Sequence, residues 1–415
     1  MEVYRPEDAF AINLRTFKLF GVWPSSIKHP LLSFIYKLYG YAIHFYYIGG
    51  LLPSQFTSMY IMRTDLKELV DSSFFTLTCV GYASKLVVFL FRRKKIEQFF
   101  QRLHDPIFVP RRIEHLNIMK KSAITGRASS ITFLSLSLGT CVLWIVFPLV
   151  ENREVKTLLY AAWYPYNATV NPAYAFTYIS QTILLLTTAA MNSMIDIMTT
   201  NFYVVMVGQM EILKQDFREL TDFVAVSSNK NKNLVVDKSL RSSHSLENVF
   251  YYNEKVLDNI LNDRIIQCLL RYQAIIKFVN DVTNFFEIGI VVQVCVSSFI
   301  ICATTFEITL ISPTTVQFYM YFLYQLCMLY QIFIYTWRGN DITIKTAELK
   351  NTVYECGWMS IPNKKFRKSI CIIMSHLQVP LTICVGKFFL LSVDTFFKII
   401  KMSYTFYILL KQVHF

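Results

Sequence analysis

Residues 69 to 95 read Leu69-Val-Asp-Ser-Ser-Phe-Phe-Thr-Leu-Thr-Cys-Val-Gly-Tyr-Ala-Ser-Lys-Leu-Val-Val-Phe-Leu-Phe91-Arg92-Arg93-Lys94-Lys95. A helix needs ~20 mainly apolar residues to cross the hydrocarbon core of a bilayer, and the run up to Phe91 is long enough. Four consecutive bases close it. Basic residues gather on the cytoplasmic side of membrane helices, so this stretch reads as a spanning helix whose C-terminal end faces inward.

The same alternation runs through the chain. Six apolar segments fall at 38–60, 69–91, 128–150, 173–198, 283–306 and 315–337, and a seventh lies between 369 and 410. Pro380, Gly386 and Lys387 break that last stretch into a re-entrant or cytoplasmic piece at 364–378 and a spanning helix at 392–412. The composition agrees, with 54 % hydrophobic and only 17 % charged residues in 415, where soluble chains carry about 25 % charged. Four bases precede segment one, ten follow segment two, ten follow segment four and seven follow segment six, which is 31 of the 41 Lys and Arg. The alternate connections and the C-terminal tail hold five, and the other five lie in segments or at their edges. The net charge of +13 is therefore chiefly a topology signal and requires no nucleic acid. The expected fold is an all-α membrane protein with seven transmembrane helices, a cytoplasmic N-terminus and an extracellular C-terminus. The single N-x-[ST] sequon, Asn167-Ala168-Thr169, falls in the connection between segments three and four, on the expected outer side; Asn167 is the candidate glycosylation site.

Residues 1–10 contain no apolar run of roughly 7 to 15 residues that could serve as a signal-peptide core, so the start of the chain is expected to stay in the cytoplasm. The nine cysteines lack the paired short spacings of a zinc or redox site and read as polarizable core filler. GxxxxGK[ST], HExxH and GxSxG do not occur, so no enzyme, metal or cofactor is indicated. Seven crossings suggest a G-protein-coupled receptor. The inside N-terminus, the missing DRY-like and NPxxY motifs and the lack of cysteines in the outer connections argue against it. A secondary transporter would show internal repeats with paired broken helices, and only one segment is broken.

Ahead of segment five, apolar residues recur from Leu246 through Leu257, Ile260, Leu261, Ile265 and Leu269 to Ile276, with a period near 3.6. A helix over 246–280 projects ~50 Å below the bilayer at 1.5 Å per residue. Segments four and six extend likewise to Leu220 and Tyr354. A stripe of this length needs a partner, either by folding back on its neighbours or in a subunit interface. The expected organisation is a cytoplasmic segment at 1–30, helices one to four at 31–222, a Ser, Asn and Lys-rich linker at 223–245, helices five and six with their cytoplasmic extensions at 246–378, and a last helix at 379–415. His44, Asn192, Asp196 and Glu287 are intramembrane polar residues and candidates for an ion path, with interfacial solvation or pairing the plainer account of Asp196 and Glu287.

The C-terminal stretch is the most specific one: Pro380-Leu-Thr-Ile-Cys-Val-Gly386-Lys387-Phe388-Phe389, then Ser392-Val-Asp394-Thr-Phe-Phe-Lys398-Ile-Ile-Lys401-Met-Ser403-Tyr404-Thr-Phe406-Tyr407-Ile-Leu409-Leu410. Ser392 is placed to cap a helix with Asp394 in its first turn, and Lys398 lies at i+4 from Asp394. Charges at the cytoplasmic mouth and a hydrophobic outer end suit a gated pore as well as an ordinary span with snorkelling lysines. This stretch resembles the insect odorant receptors, whose last helix typically reads S-[LV]-[ED]-T-F-x-K-I-[LI]-K-x-S-Y-S-[YF]-F-x-L-L after a P-x-x-x-x-x-G-K-F-F run. The close match covers the last tenth of the chain. Weaker echoes are Gly339-Asn340 and Tyr354-Glu-Cys356-Gly-Trp358. The chain lacks the long insertion of the family's shared co-receptor, so the resemblance is to a ligand-tuned subunit. Gustatory receptors, which end in T-Y-x-x-x-x-x-Q-F, are the second resemblance; here Gln412 stands at a longer spacing.

The resemblance implies an odorant-gated cation channel in the plasma membrane of olfactory sensory neurons, a heterotetramer with the odorant co-receptor whose last helices line one pore for permeating cations. By position, Phe406 and Leu409 would form the outer hydrophobic gate, and Asp394 and Lys398 would lie toward the cytoplasmic entrance. The anchor of such a tetramer would supply the partner that the 246–276 stripe needs. The family binds a small volatile, hydrophobic ligand in the outer half of the bilayer, between segments two, three, four and six. Candidates there are Phe74, Phe75 and Thr78, Ser137, Thr140 and Trp144, Tyr174, Tyr178 and Gln181, and Tyr321 and Tyr324. Aromatic walls with a few hydroxyls suit a mostly apolar molecule bearing one oxygen function.

Overall fold

The computed structural model describes residues 5–24, 29–64, 66–150, 157–221, 245–387 and 389–414, and these are almost entirely helical. A 3-10 turn at Pro6–Phe10 leads into α1, Ala11–Leu19. The first span is α2, Pro30–Phe45, a π-helical turn at Tyr46–Leu51, and α3, Leu52–Ile61. The ladder widens where Gly49-Gly50 gives the backbone freedom and Pro53 offers no N–H. α4, Leu66–Phe91, is the stretch quoted above, and α5, Arg93–Leu103, follows its basic end. The long helices are α6, Ile113–Val150, α7, Ala173–Arg218, α8, Ser245–Leu310, and α9, Val316–Glu355. After α10, Lys364–His376, a hairpin of β1, Cys384–Val385, and β2, Phe389–Leu390, precedes α11, Val393–His414.

Among the described residues, five helices, α4 and α6 to α9, contain stretches long and apolar enough to cross a membrane by length and composition. The first span misses that mark as one continuous α-helix because of its π-turn, and α11 because Asp394, Lys398 and Lys401 occupy its first half. Together they give the seven-helix membrane fold. One end of the bundle carries the connection with Asn167, the sequon end; the other carries the helix extensions, the basic end.

Two departures from the sequence reading lie at the basic end. α6 begins at Ile113, about four turns before the expected span, so this helix too has an extension. α5 is a short amphipathic helix that buries Ile96, Phe99, Phe100 and Leu103, leaves Lys94 and Lys95 outward and pairs Arg102 with Asp281 on α8 at 2.6 Å. The N-terminal residues are also built into the bundle. Phe10 and Phe17 are fully buried, Asn13 Nδ2 donates to the Met194 carbonyl at 2.8 Å, and Asn201 Nδ2 donates to the Ala9 carbonyl at 3.0 Å.

α8, at 66 residues, runs ~100 Å. The side chains of its stripe from Leu246 to Leu257 lie outside the described residues, and the rest divides in two. Leu261, Ile265, Cys268, Ile275 and Phe278 are buried against neighbouring helices, while Ile260, Ile266 and Leu270 stay exposed. Fold-back thus takes one face and leaves a second apolar strip bare. Ion pairs join the extensions: Lys214 to Glu348 at 2.5 Å, Lys345 to Glu211 at 2.8 Å and Arg271 to Asp216 at 2.8 Å. The hydrogen bond from Lys214 holds the Glu348 carboxyl below its ordinary range. The linker expected at 223–245 lies outside the described residues apart from Ser245. The cysteines correct the core-filler expectation in part: six are buried, but Cys295, Cys371 and Cys384 are exposed, and all nine are free thiols.

Candidate functional site

Near the sequon end, α4, α6, α7 and α9 enclose a cavity of about 60 Å³, several times the ~10–15 Å³ that holds one water. Each helix contributes a face. α6 brings Phe133, Ser137, Thr140, Cys141 and Trp144; α7 brings Leu185, Thr188, Ala189, Asn192 and Ser193; α9 brings Tyr324, Cys327, Met328 and Gln331; α4 brings Phe75 and Thr78. The spacing i, i+3, i+4, i+7 from Ser137, from Leu185 and from Tyr324 is that of one helical face.

Toward the sequon end lies a second, wider cavity of about 310 Å³, walled by Phe74, Phe75, Trp144 and Tyr321 and by residues 157–161 of the α6–α7 connection. Phe75 and Trp144 line both spaces. They belong to an aromatic partition in which Phe74 lies 5.9 Å from Trp144, 5.7 Å from Tyr321 and 5.8 Å from Tyr324, ring centre to ring centre, and Phe75 stacks on Tyr160 at 4.5 Å. The contacts of Phe74 with Trp144 and Tyr321 are edge-to-face, an arrangement that suits aromatic quadrupoles.

Of the eleven residues proposed for the ligand, Phe75, Thr78, Ser137, Thr140, Trp144 and Tyr324 line the inner cavity, and Phe74 and Tyr321 line the vestibule. Tyr174, Tyr178 and Gln181 line neither. Tyr174 donates to the Thr157 carbonyl at 3.2 Å and Tyr178 to the Ile145 carbonyl at 2.5 Å. Gln181 accepts from Leu159 N at 3.0 Å and donates to the Tyr160 carbonyl at 3.2 Å and the Tyr164 hydroxyl at 3.0 Å. Tyr174 and Gln181 fasten the connection that roofs the vestibule, and Tyr178 ties α7 to α6 beside it. Gln181→Leu strands those loop groups and is expected to loosen residues 157–164 by roughly 1–3 kcal/mol. Faster hydrogen exchange confined to that segment checks this; unchanged exchange would remove Gln181 as its anchor.

The cavity wall's hydroxyls are largely engaged. Thr78 and Tyr324 bond each other at 2.6 Å, and Ser137, Thr140 and Ser193 donate to helix carbonyls. At the inner end Gln331 donates to Asp196. Asp196 is fully buried and paired with Lys85 Nζ at 2.7 Å, and it also accepts from the Tyr335 hydroxyl at 2.7 Å. Gln293 completes the cluster by accepting from Lys85 at 2.7 Å and donating to Gln331 Oε1 at 2.8 Å. Of the accounts the sequence left open for Asp196, an ion path, interfacial solvation or pairing, the geometry is that of pairing, inside the bundle and not at an interface. Glu287 is engaged too, accepting from Gly386 N at 2.9 Å.

The sequence comparison decides the family. The family model described as 7tm Odorant receptor matches residues 65–404. The chain belongs to that family. The odorant receptor Or1 of Anopheles gambiae is 22 % identical over 99 % of this chain and 97 % of its own length. Isoform B of odorant receptor 46a of Drosophila melanogaster is 20 % identical over 98 % and 99 %. The olfactory receptor OR5 of Machilis hrabei, solved in complex with eugenol, superposes with a TM-score of 0.77 at 15 % identity, covering 98 % of this chain and 97 % of its own. The protein is an odorant receptor of the multi-pass membrane class.

In this receptor α11 packs on α8 and α9 and buries Ile399, Ser403 and Tyr407, at i, i+4 and i+8, and Ser403 Oγ donates to the Ser298 carbonyl on α8 at 3.2 Å. Ser392 caps the helix by accepting from Thr395 N at 3.3 Å. Asp394 and Lys398 are exposed, as is Phe406, while the side chain of Leu409 lies outside the described residues. Asn167 is exposed and its Oδ1 accepts from Thr169 N at 3.1 Å. As ligand residues, sequence reasoning missed Phe133, Cys141, Leu185, Thr188, Ala189, Asn192, Ser193, Cys327, Met328 and Gln331. Extending each proposed helix face by one turn at the same spacing finds Phe133, Cys141, Leu185, Cys327 and Met328.

Proposed function

We propose that the receptor is a ligand-tuned subunit of an odorant-gated cation channel in the plasma membrane of olfactory sensory neurons, assembled with the odorant co-receptor as a heterotetramer. The observation that carries the reading is the small apolar cavity behind an aromatic partition, a setting for a volatile, mostly apolar ligand. The OR5 receptor solved with eugenol shares the fold and supports it. The N-terminus and basic end are cytoplasmic, Asn167 is glycosylated on the outer side, and Phe415 lies outside, in keeping with the 31 bases on one side. The bare strip of Ile260, Ile266 and Leu270 on α8 is the subunit-facing surface. α11 lines the pore, with Phe406 and Leu409 at the outer gate and Asp394 and Lys398 toward the cytoplasmic mouth. Hydrogen bonds at both ends of one backbone step connect the cavity to α11: Gln331 is bonded to Gln293 and Ser297 on α8, and the carbonyl of the next residue, Ser298, accepts from Ser403. Ligand opens the pore by binding the open state more tightly than the closed one.

Cells expressing this chain with a co-receptor are expected to pass odor-evoked cation current, and Trp144→Ala is expected to change the response profile while leaving surface assembly intact. Silence across a broad volatile panel despite surface expression would overturn the channel reading. An unchanged profile in Trp144→Ala would take the cavity out of ligand recognition.

A further inference from the structure

Two buried side-chain atoms on the inner cavity's wall have no hydrogen-bond partner among the described residues: Trp144 Nε1, a donor, and Asn192 Oδ1, an acceptor. The nearby hydroxyls of Thr78, Ser137, Thr140 and Tyr324 are already bonded within the protein, and Gln331 spends its amide on Asp196 and Gln293. A buried polar group without a partner costs free energy, so such groups mark places where a bound molecule supplies the missing bond.

The two residues attach to their helices at opposite ends of the space. Ser137 on α6 reaches the Ala189 carbonyl on α7 at 3.4 Å, which aligns the two helices. Trp144 lies seven residues from Ser137 toward the sequon end, ~10 Å, and Asn192 lies three residues from Ala189 toward the basic end, ~4.5 Å. Side chains lean toward the N-terminus of their own helix. α6 starts at the basic end and α7 at the sequon end, so these two lean toward each other and leave a gap suited to one substituted ring.

We infer that the ligand is a small, mostly apolar molecule with polar groups at both ends: a carbonyl or ether oxygen that accepts from Trp144 Nε1, and a hydroxyl or N–H that donates to Asn192 Oδ1. Asn192 is thereby a specificity-determining residue. The inference rests on the cavity being the ligand site and names the chemical class it selects.

The test uses the full-length receptor with its co-receptor and three probes matched in shape. para-Hydroxyacetophenone has both groups, para-methoxyacetophenone lacks the donor, and para-ethylphenol lacks the carbonyl acceptor. para-Hydroxyacetophenone is expected to evoke half-maximal current at about tenfold lower concentration than either analogue. Asn192→Leu is expected to erase its advantage over the methoxy compound and keep that over the ethyl compound; Trp144→Phe is expected to do the reverse. The wild-type ranking is a test by itself, whether or not a variant reaches the surface. Three equipotent probes, or discrimination that survives both substitutions, would overturn the inference. Silence to all three in a receptor that answers other volatiles would overturn it and leave the channel reading standing, whereas silence to every volatile would overturn both.

Discussion

Replacing Lys85 with Met is expected to cost the receptor about 3–5 kcal/mol of stability, the scale on which one partner is removed from a buried ion pair, and most of its surface expression. The Lys85 and Asp196 side chains are 3 % and 0 % exposed, and four helices meet at them. Lys85 comes from α4, Asp196 from α7, Gln293 from α8, and Gln331 and Tyr335 from α9. Methionine fills the space of the lysine stem but leaves the carboxylate with two neutral donors, deep inside the bundle. The double variant Lys85→Met, Asp196→Leu removes both charges and is expected to regain part of the loss, because paired apolar replacements avoid the stranded charge. Recovery stays incomplete since Gln331 and Tyr335 then lack their acceptor. Melting midpoints in detergent, with surface labelling, check both. A Lys85→Met receptor that melts like wild type would show that the pair contributes nothing to holding the four helices together.

This cluster also shows how far the sequence could be read. Lys85 sits in the middle of the stretch whose hydropathy announces a spanning helix, and periodicity cannot say which residue on another helix faces it. Asp196 was legible as solvated or paired because an isolated charge in an apolar run is too costly to leave bare, and the sequence did not separate the two. Its partner and depth come from how α4 and α7 pack. Helix number and the broken last segment were legible because lipid demands ~20 apolar residues per span and Pro380 and Gly386 interrupt one. The start of α6 at Ile113 was not, because its first four turns mix charged and apolar residues and carry no membrane signal. Six of the proposed ligand residues reach the inner cavity because aromatic and hydroxyl residues at i, i+3 and i+7 must share a face. Tyr174, Tyr178 and Gln181 stand above it. Nothing in their spacing reveals that the chain at 157–164 folds back to exchange hydrogen bonds with α7.

Gly339→Ala is expected to reduce odor-evoked current by about tenfold or more, far beyond its effect on helix stability. Gly339 lies within α9, where a Cβ would come within 2.4 Å of Leu391 Cβ and 2.8 Å of its carbonyl oxygen. Neither is the free end of a flexible side chain. Leu391 is buried, and its N–H is fixed to the Ile383 carbonyl at 2.8 Å, so the hairpin that precedes α11 has little room to yield. The methyl therefore pushes α9 and the root of α11 apart by about 1 Å, the difference from ordinary contact. Overpacking of this kind costs about 1–3 kcal/mol, and the gain in helix propensity from Gly to Ala returns about 1 kcal/mol. The melting midpoint should therefore move little while the position of the proposed pore helix changes. Gly139→Ala on α6 is the matched control, since its Cβ would meet its nearest neighbour, Leu323 Cδ2, at 3.9 Å. That control is expected to melt at or above the wild-type midpoint. Currents and melting of the two variants, measured side by side with the co-receptor, separate the cases: a Gly339→Ala receptor that conducts like Gly139→Ala would show that the contact between α9 and Leu391 does not set a working position of the proposed pore helix.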